Sequence, residues 1–223
     1  MTSRLPFPIS LVALNSTWYF DLLKNGNPNE EERQLYIDTI EKKSKRLKIL
    51  IEDLFEMSKA TSGDVKLNII EMDMVGLIKQ TEVELQDKLE NANLVIKNSF
   101  SEDKMILRLD AEKTYRIFEN LLSNVSKYSI PNSRVYIDVK EFRDCVEILI
   151  KNTSIVEMNF SEEEIVDRFV RGDKSRNTEG SGIGLAIAKS FTEIQGGRFK
   201  IEIDGDLFKV RIIFPKPGCQ APQ

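Results

Sequence analysis

The chain has 223 residues, of which 41% are hydrophobic and 30% are charged, a balance typical of a globular protein rather than a disordered one. Its 32 basic and 36 acidic residues give a formal net charge of −4, so the totals do not indicate a nucleic-acid-binding surface. The sequence contains no histidine. This excludes, within these residues, Ser-His-Asp or Cys-His catalysis, zinc binding through imidazole, and phosphorylation of a histidine.

The apolar residues near the start of the chain do not form a membrane-spanning segment. The stretch 5–23 is interrupted by Pro6, Pro8 and Asp21, and no signal-peptide pattern accompanies it. Cys145 and Cys219 are far apart and lack metal-ligand spacing, which favours unpaired thiols in a reducing compartment. We therefore expect a cytoplasmic chain that does not insert into a membrane.

Residues 1–62 have the pattern of a helical hairpin. Apolar residues recur at spacings of three and four from Ile9 to Leu23, and a turn-forming stretch follows at Asn25–Asn29. A second helix is expected to begin at the acidic residues Glu30–Glu32 and to carry one apolar seam: Ile37, Ile40, Ser44, Leu47, Ile51, Leu54 and Ser58. Two such helices do not bury this seam alone, so we predict a four-helix bundle made by two chains. The alternative is that the helices pack on their own C-terminal domain.

Residues 63–223 alternate between strand and helix patterns, after a helix break expected over Ala60–Asp64. The predicted strands are Lys66–Glu71, Leu94–Phe100, Lys104–Leu109, Arg134–Lys140, Val146–Lys151, Arg198–Ile203 and Phe208–Phe214. The predicted helices are Val75–Asn91, Asp110–Ser129 and Gly184–Gln195. This order predicts an α+β sandwich, in which helices cover one face of a mixed sheet.

Polar side chains share one face of the helix predicted to begin at Asp110. Asn120, Asn124 and Lys127 recur at i, i+4 and i+7, away from the apolar stripe of that helix. Amide oxygens suit Mg²⁺, and a nearby lysine suits the phosphates that Mg²⁺ carries. The alternative is that this face is merely solvated.

A glycine-rich turn, Gly180–Gly184, directly precedes the last predicted helix. Glycines at that position allow backbone N–H groups to approach an anion at the helix N-terminus. The turn lacks the Gly-Lys-Ser/Thr of a P-loop, and no strand pattern precedes it as a dinucleotide fingerprint requires.

Four motifs in order resemble the ATP-binding domain of sensor histidine kinases, which has the Bergerat (GHKL) fold shared with DNA gyrase. They are the Asn120–Tyr128 helix, then RFVRGDKSRN, GSGIGLAIAKS and QGG. The resemblance covers Leu67–Pro215, and the two preceding helices resemble the dimerisation and phosphoacceptor hairpin of that family.

The resemblance implies that ATP and Mg²⁺ are ligands and assigns residues to them. Asn120 and Asn124 match the N box, with Asn124 as the Mg²⁺ ligand. On the same helix, Lys127 would contact phosphate and Tyr128 would pack near the base or ribose. Phe169 and Arg171 match the F box of the lid, and Asn120, Lys127 and Arg171 are the implied catalytic residues. The second glycine box supplies Gly180, Ser181, Gly182, Ile183, Gly184 and Leu185. The implied partner is a response regulator receiver domain. Full-length relatives are usually anchored in the plasma membrane.

Two departures from the family pattern stand beside these matches. No glycine lies between Gly76 and Gly172, so the first glycine box is absent, and Asn152 stands where the family's adenine-binding aspartate is expected. The register of the hairpin also places the phosphorylatable histidine near Phe7, where there is none. The chain is therefore either a truncated or frame-disrupted kinase or a degenerate member.

These motifs predict a kinase part that uses Mg-ATP for phosphoryl transfer to histidine but does not phosphorylate itself. The alternative is a nucleotide-sensing partner that forms a heterodimer with an intact kinase. A repair or chaperone ATPase is disfavoured, because Asn120 lacks the carboxylate that would activate water.

Overall fold

The computed structural model describes residues 18–62, 66–155 and 184–216 of the chain. Its helices are α1 (residues 18–25 of the described part), α2 (Glu30–Ser62), α3 (Met74–Glu84), α4 (Gln86–Asn91), α5 (Ala111–Tyr128) and α6 (Gly184–Ile194). Its strands are β1 (Ile69–Asp73), β2 (Val95–Phe100), β3 (Ile106–Asp110), β4 (Arg134–Glu141), β5 (Cys145–Thr153), β6 (Arg198–Asp204) and β7 (Leu207–Pro215). Among the described helices, none combines the length and the apolar character needed to cross a bilayer.

The start of α2 is set by a reciprocal cap. The Glu32 backbone N–H donates to Asn29 Oδ1 at 2.8 Å, and the Asn29 N–H donates to Glu32 Oε2 at 3.0 Å, which satisfies two N–H groups at the helix end. The predicted start of α2 at the acidic triplet is confirmed. The helix ends at Ser62, within the break predicted over Ala60–Asp64.

The apolar seam of α2 is divided between two environments. Leu47 packs against the core of the C-terminal domain, where α2 contacts α6. Ile37, Ile51 and Phe55, by contrast, are 45%, 51% and 60% exposed. Packing on the same chain therefore buries one part of this helix and leaves other apolar side chains open to solvent.

The sheet topology is mixed, as predicted. The larger sheet has the strand order β2-β4-β5-β7-β6, with β2 parallel to β4 and the other neighbours antiparallel. The hairpins β4–β5 and β6–β7 are both present, and the second turns through Gly205 at φ +62°. Strands β1 and β3 form a separate antiparallel pair.

Several predicted boundaries are corrected by this topology. The single helix expected over Val75–Asn91 is two helices, because Leu85 leaves the helical conformation and is buried near Leu89. The first strand begins at Ile69 rather than Lys66, where pairing with β3 begins at Asp110. The expected strand from Lys104 begins at Ile106 for the same reason, since a strand exists only where a partner supplies its hydrogen bonds.

The core lies between the larger sheet and the helices α5 and α6. From α5 it receives Phe118, Leu121, Leu122 and Val125, and from α6 it receives Leu185, Ile187, Ala188 and Phe191. The inward faces of the strands contribute Val135, Ile137, Val139, Ile148, Ile150, Val210, Ile212 and Phe214. The expected sandwich of helices on a mixed sheet is confirmed, and the packing of α5 against α6 brings two of the predicted motifs together.

The QGG motif ends α6 and begins its return to the sheet. Gly196 has φ +77°, a conformation that favours glycine after a helix. At Gly197 a β-carbon would lie 2.7 Å from the ring of Phe214, so only glycine lets the chain pass that ring. Both glycines are thus explained by the path of the backbone.

Candidate functional site

Helix α5 presents a buried face and a polar face to different surroundings. Asp110 caps its N-terminus, since Oδ1 accepts the Lys113 N–H at 3.0 Å. The apolar stripe of α5 is buried in the core, while Asn120 and Asn124 are half-buried and Lys127 is exposed. The predicted i, i+4, i+7 face is therefore intact on a regular helix.

Asn120 of α5 lies against Gly184, the first residue of α6. Asn120 Nδ2 donates to the Arg116 carbonyl at 2.8 Å, which orients the amide. Its Oδ1 lies 2.8 Å from the point that a β-carbon on Gly184 would occupy. The first residue of α6 must therefore be small, and its backbone lies directly against the polar face of α5.

Asn124 lies one turn further along α5, and its amide nitrogen differs from that of Asn120 in its surroundings. Its Nδ2 is buried and has no hydrogen-bond partner among the residues that the structure describes. A buried amide group without a partner is costly in a folded protein. This side chain is therefore suited to a ligand that the protein itself does not provide.

Tyr128 ends α5 close to the end of β5. The Ile155 N–H donates to the Tyr128 carbonyl at 2.8 Å, and the Ile130 N–H donates to the Thr153 carbonyl at 2.9 Å. These two bonds hold the residues after β5 beside the C-terminus of α5. The predicted site residues Tyr128 and Asn152 are thereby brought to the same end of the helix.

Asn152 is paired with Ser129, the residue that follows α5. Asn152 Nδ2 donates to Ser129 Oγ at 2.9 Å, and the two residues are only 4% and 5% exposed. A hydroxyl can donate as well as accept. An aspartate at position 152 would therefore find a donor in the same serine.

Asn120, Asn124, Lys127 and Tyr128 form a polar strip along α5. The N-terminus of α6 lies at one end of this strip and Asn152 at the other. Asn120 and Ser129 are nine positions apart in sequence, which is about 13 Å along a helix. The N-terminus of α6 lies at the Asn120 end, where unpaired N–H groups and the helix dipole favour an anion. Buried Asn152 lies at the other end, where it suits a ligand with hydrogen-bonding groups.

A second polar contact fixes α5 on its other neighbour, α3. The hydrogen bond from Tyr115 to Glu84, together with partial burial, raises the pKa of Tyr115 to about 12, and the same bond lowers the pKa of Glu84. At neutral pH Tyr115 therefore keeps the proton that it donates, and Glu84 is the charged acceptor. This contact holds α5 without taking part in the polar strip.

The remaining predicted site residues are placed as follows. Phe169, Arg171, Gly180, Ser181, Gly182 and Ile183 lie outside the described residues. Leu185 is 1% exposed, and its side chain is part of the core. The sequence reasoning did not identify Arg116, Ser129 or Gln195 as supporting residues. Of these, only Gln195 carried a signal, its place in the QGG motif.

Comparisons with known proteins identify the domain. Residues 109–218 match the family described as histidine kinase-, DNA gyrase B-, and HSP90-like ATPase. The probable sensor protein PcoS of Escherichia coli is 33% identical over 173 residues, covering 76% of this chain and 36% of PcoS. The chain is similar to sensor histidine kinases, and its residues 109–218 match their ATPase domain family. It spans only about a third of the length of PcoS.

Solved histidine kinases have the same fold. Acinetobacter baumannii AdeS superposes with a TM-score of 0.74 at 16% identity, covering 96% of this chain and 99% of that one. ThkA, solved in complex with the response regulator TrrA, also gives 0.74 at 17% identity, covering 94% of this chain and 59% of that one. The predicted relationship to histidine kinases and their GHKL fold is therefore confirmed, and the polar strip lies within the residues that match the ATPase family.

Proposed function

We propose that this chain is the cytoplasmic kinase part of a two-component sensor kinase, and that it uses Mg-ATP to phosphorylate a histidine that lies outside these 223 residues. The observation that carries the proposal is the contact of Asn120 with the first residue of α6, Gly184. One turn further along α5, Asn124 Nδ2 is buried without a partner among the described residues. The N-terminal end of α6 and two amide side chains of α5 therefore lie close together. That combination suits a phosphate chain with its metal ion.

The residues of the chain fit Mg²⁺ and nucleotide. Asn124 would supply its amide oxygen to the ion, since amide oxygens are suitable Mg²⁺ ligands and the residue lies one turn from Asn120 on the same helix. The ion would neutralise phosphate charge. Lys127 would contact phosphate, Tyr128 would pack near the base or ribose, and Asn152 would accept from the adenine amino group. By the family resemblance, Phe169, Arg171 and the segment from Gly180 to Leu185 would complete the lid and the phosphate cradle.

Asn120 favours phosphoryl transfer to a protein over hydrolysis. An amide does not accept a proton from water as a carboxylate does. In addition, its Nδ2 is held by the Arg116 carbonyl, so its position is set before any ligand arrives. Catalysis would therefore come from orientation and charge neutralisation rather than from a base on this residue.

The histidine acceptor would lie outside this sequence. The 223 residues contain none. The exposed seam residues Ile37 and Ile51, together with the nearby Phe55, offer an apolar surface for a second hairpin. A homodimer or heterodimer through this seam would place the ATPase domain near a partner. ThkA was solved with a response regulator, which supports a receiver domain as the further partner.

A second candidate function is nucleotide sensing without catalysis. It is favoured by the absence of histidine from the 223 residues. It is also favoured by Asn152, whose neutral amide would bind the adenine amino group more weakly than a carboxylate would. Such a chain would join an intact kinase through the seam and report ATP by ordering its lid.

One experiment separates the two functions. The pure chain and γ-labelled ATP should give no acid-labile, base-stable label. The chain is then mixed with a family member that keeps its histidine but has a disabled N box, and label should appear on that partner. The matched control replaces this chain by its Asn124→Ala variant, which should give no label. If mixed dimers form and ATP binds but the partner carries no label, the catalytic function is contradicted and the sensing function is supported.

A further inference from the structure

Gln195 links the C-terminal end of α6 to the beginning of α5. Its Oε1 accepts the Asp110 backbone N–H at 2.8 Å and the Thr114 hydroxyl at 3.3 Å. Its Nε2 donates to the Phe191 carbonyl in the last turns of α6 at 2.8 Å. Both the oxygen and the nitrogen of this side chain are thus hydrogen-bonded. Two of the three bonds join the C-terminal end of α6 to the N-terminal end of α5.

Asp110, which Gln195 contacts, also binds two other parts of the chain. Asp110 caps α5 through Oδ1, and its Oδ2 accepts the Asn68 N–H at 2.8 Å. Asn68 lies in the segment between α2 and β1. One small cluster therefore connects the segment after the helical hairpin, the start of α5 and the end of α6.

The two ends of α6 are fixed to α5 in different ways. At the N-terminal end Gly184 lies against the Asn120 side chain, and about 16 Å further along the helix Gln195 makes directional hydrogen bonds. Between them the contact is made by apolar side chains such as Phe118 and Phe191. Apolar contacts have no preferred direction, so they resist separation of two helices better than they resist sliding.

We propose that Gln195 is a positioning residue for the nucleotide site, although it does not touch the nucleotide. Its bonds to Asp110 and Thr114 set the position of α6 along α5, and this position decides where the Gly184 backbone meets Asn120. The inference rests on the proposed nucleotide-binding function and adds to it a residue at the far end of α6.

The burial of the bonded groups explains why the link resists replacement by water. Thr114 is fully buried and Asp110 is 5% exposed. Without an acceptor on Gln195, a buried N–H and a buried hydroxyl would lose their partner. The helices would then move until another acceptor or a water molecule satisfied these groups, and the other end of α6 would move with them.

The test measures affinity for Mg-ATP by titration calorimetry in the complete chain. Gln195→Met keeps the length of the side chain and removes its hydrogen bonds, and binding should weaken by about tenfold, as is typical when a supporting residue is lost. Thr192→Val is the matched control on the same helix. Thr192 is buried and donates only to the Ala188 carbonyl within α6, so that variant should lose stability but keep its affinity.

Rescue separates positioning from a general contribution to stability. At pH 8 a neutral imidazole has one acceptor and one donor nitrogen, so Gln195→His should recover most of the lost affinity. If Gln195→Met does not fold, Gln195→Asn replaces it. Its amide is one methylene shorter, and its binding should be weakened to an intermediate degree.

The outcomes distinguish this inference from the function on which it rests. A wild-type chain that does not bind Mg-ATP would overturn the proposed function itself. A wild-type chain that binds, together with folded Met or Asn variants of equal affinity and lower melting temperature, would show that Gln195 is only structural. Loss of affinity in Gln195→Met, retention in Thr192→Val and recovery in Gln195→His are the results expected.

Discussion

Asn120 Oδ1 lies 2.8 Å from the position of a β-carbon built on Gly184, although 64 positions separate the two residues in the sequence. The contact joins the amide face of α5 to the first residue of α6. The Asn120 amide is oriented by its bond to the Arg116 carbonyl. A side chain at position 184 would therefore act on the site through Asn120.

The first prediction concerns Gly184→Ala. The added methyl group should force the Asn120 side chain to rotate away from the Arg116 carbonyl, at a cost of about 1 kcal/mol for the lost hydrogen bond. Urea unfolding of Gly184→Ala, Asn120→Ala and the double variant measures this cost as a coupling energy. Strictly additive effects would contradict the contact.

The second prediction concerns Asn124→Ala. Because Asn124 Nδ2 is buried without a partner among the described residues and alanine favours helices, the ligand-free variant should be more stable by about 0.5 to 1 kcal/mol. Its affinity for Mg-ATP should fall, since the proposed Mg²⁺ ligand is gone. Thermal unfolding and calorimetry check the two halves. The matched control is Asn91→Ala at the exposed end of α4, which should leave nucleotide affinity unchanged.

The third prediction concerns Asn152→Asp. A carboxylate at this position would accept a hydrogen bond from Ser129 and could also accept from the adenine amino group with a charge-assisted bond. ATP should therefore bind more tightly, by about fivefold to tenfold, corresponding to roughly 1 to 1.4 kcal/mol. The ligand-free protein should lose stability, because the position is buried and a buried charge is costly. Equal ATP affinity for the two chains would argue against adenine contact at this residue.

The fourth prediction concerns the pH dependence of stability. Burial raises the pKa of Glu82, and this is partly opposed by the hydrogen bond from Asn98 and by the charge of Lys79. Because the folded-state pKa is raised, the charged carboxylate disfavours folding at neutral pH, and this penalty disappears as the pH falls through the raised pKa and below the usual value of 4.5. Glu82→Gln should therefore be more stable than the wild type at pH 7.

The stability difference between Glu82→Gln and the wild type should shrink on acidification. Urea unfolding at pH 7, 5.5 and 4.5 would measure it. Asp87→Asn provides a control on the neighbouring helix α4, where the carboxyl group is exposed. A difference that grows as the pH falls would show that the sign is wrong.

The fifth prediction concerns the exposed part of the α2 seam. Ile37→Glu and Ile51→Glu place charges on side chains that are 45% and 51% exposed in the single chain, so neither should unfold the ATPase domain. Both should weaken dimer formation by at least tenfold, since a charge buried in an apolar interface costs more than about 1.4 kcal/mol. Analytical ultracentrifugation measures the association. Lys42→Glu, on the exposed side of the same helix, should dimerise like the wild type.

Local patterns in the sequence were sufficient to predict several elements. The Asn120, Asn124 and Lys127 face follows from the helical period alone, and it survives unchanged on α5. The hairpins β4–β5 and β6–β7 were also predictable, because each joins strands that follow one another through a short turn. Boundaries were less predictable where a distant partner decides them, as at Ile69, which pairs with Asp110.

By itself, the sequence determined which residues share a helix face, where α2 begins and that no histidine is present. Only the tertiary structure decided that Gly184 meets Asn120, that Asn152 pairs with Ser129 across 23 positions, and that Gln195 holds Asp110 across 85. The physical reason is that helix and turn patterns depend on neighbours within a few residues. The partner of a buried polar group depends instead on how whole elements pack, because the hydrogen bond that satisfies it forms only after packing has excluded water.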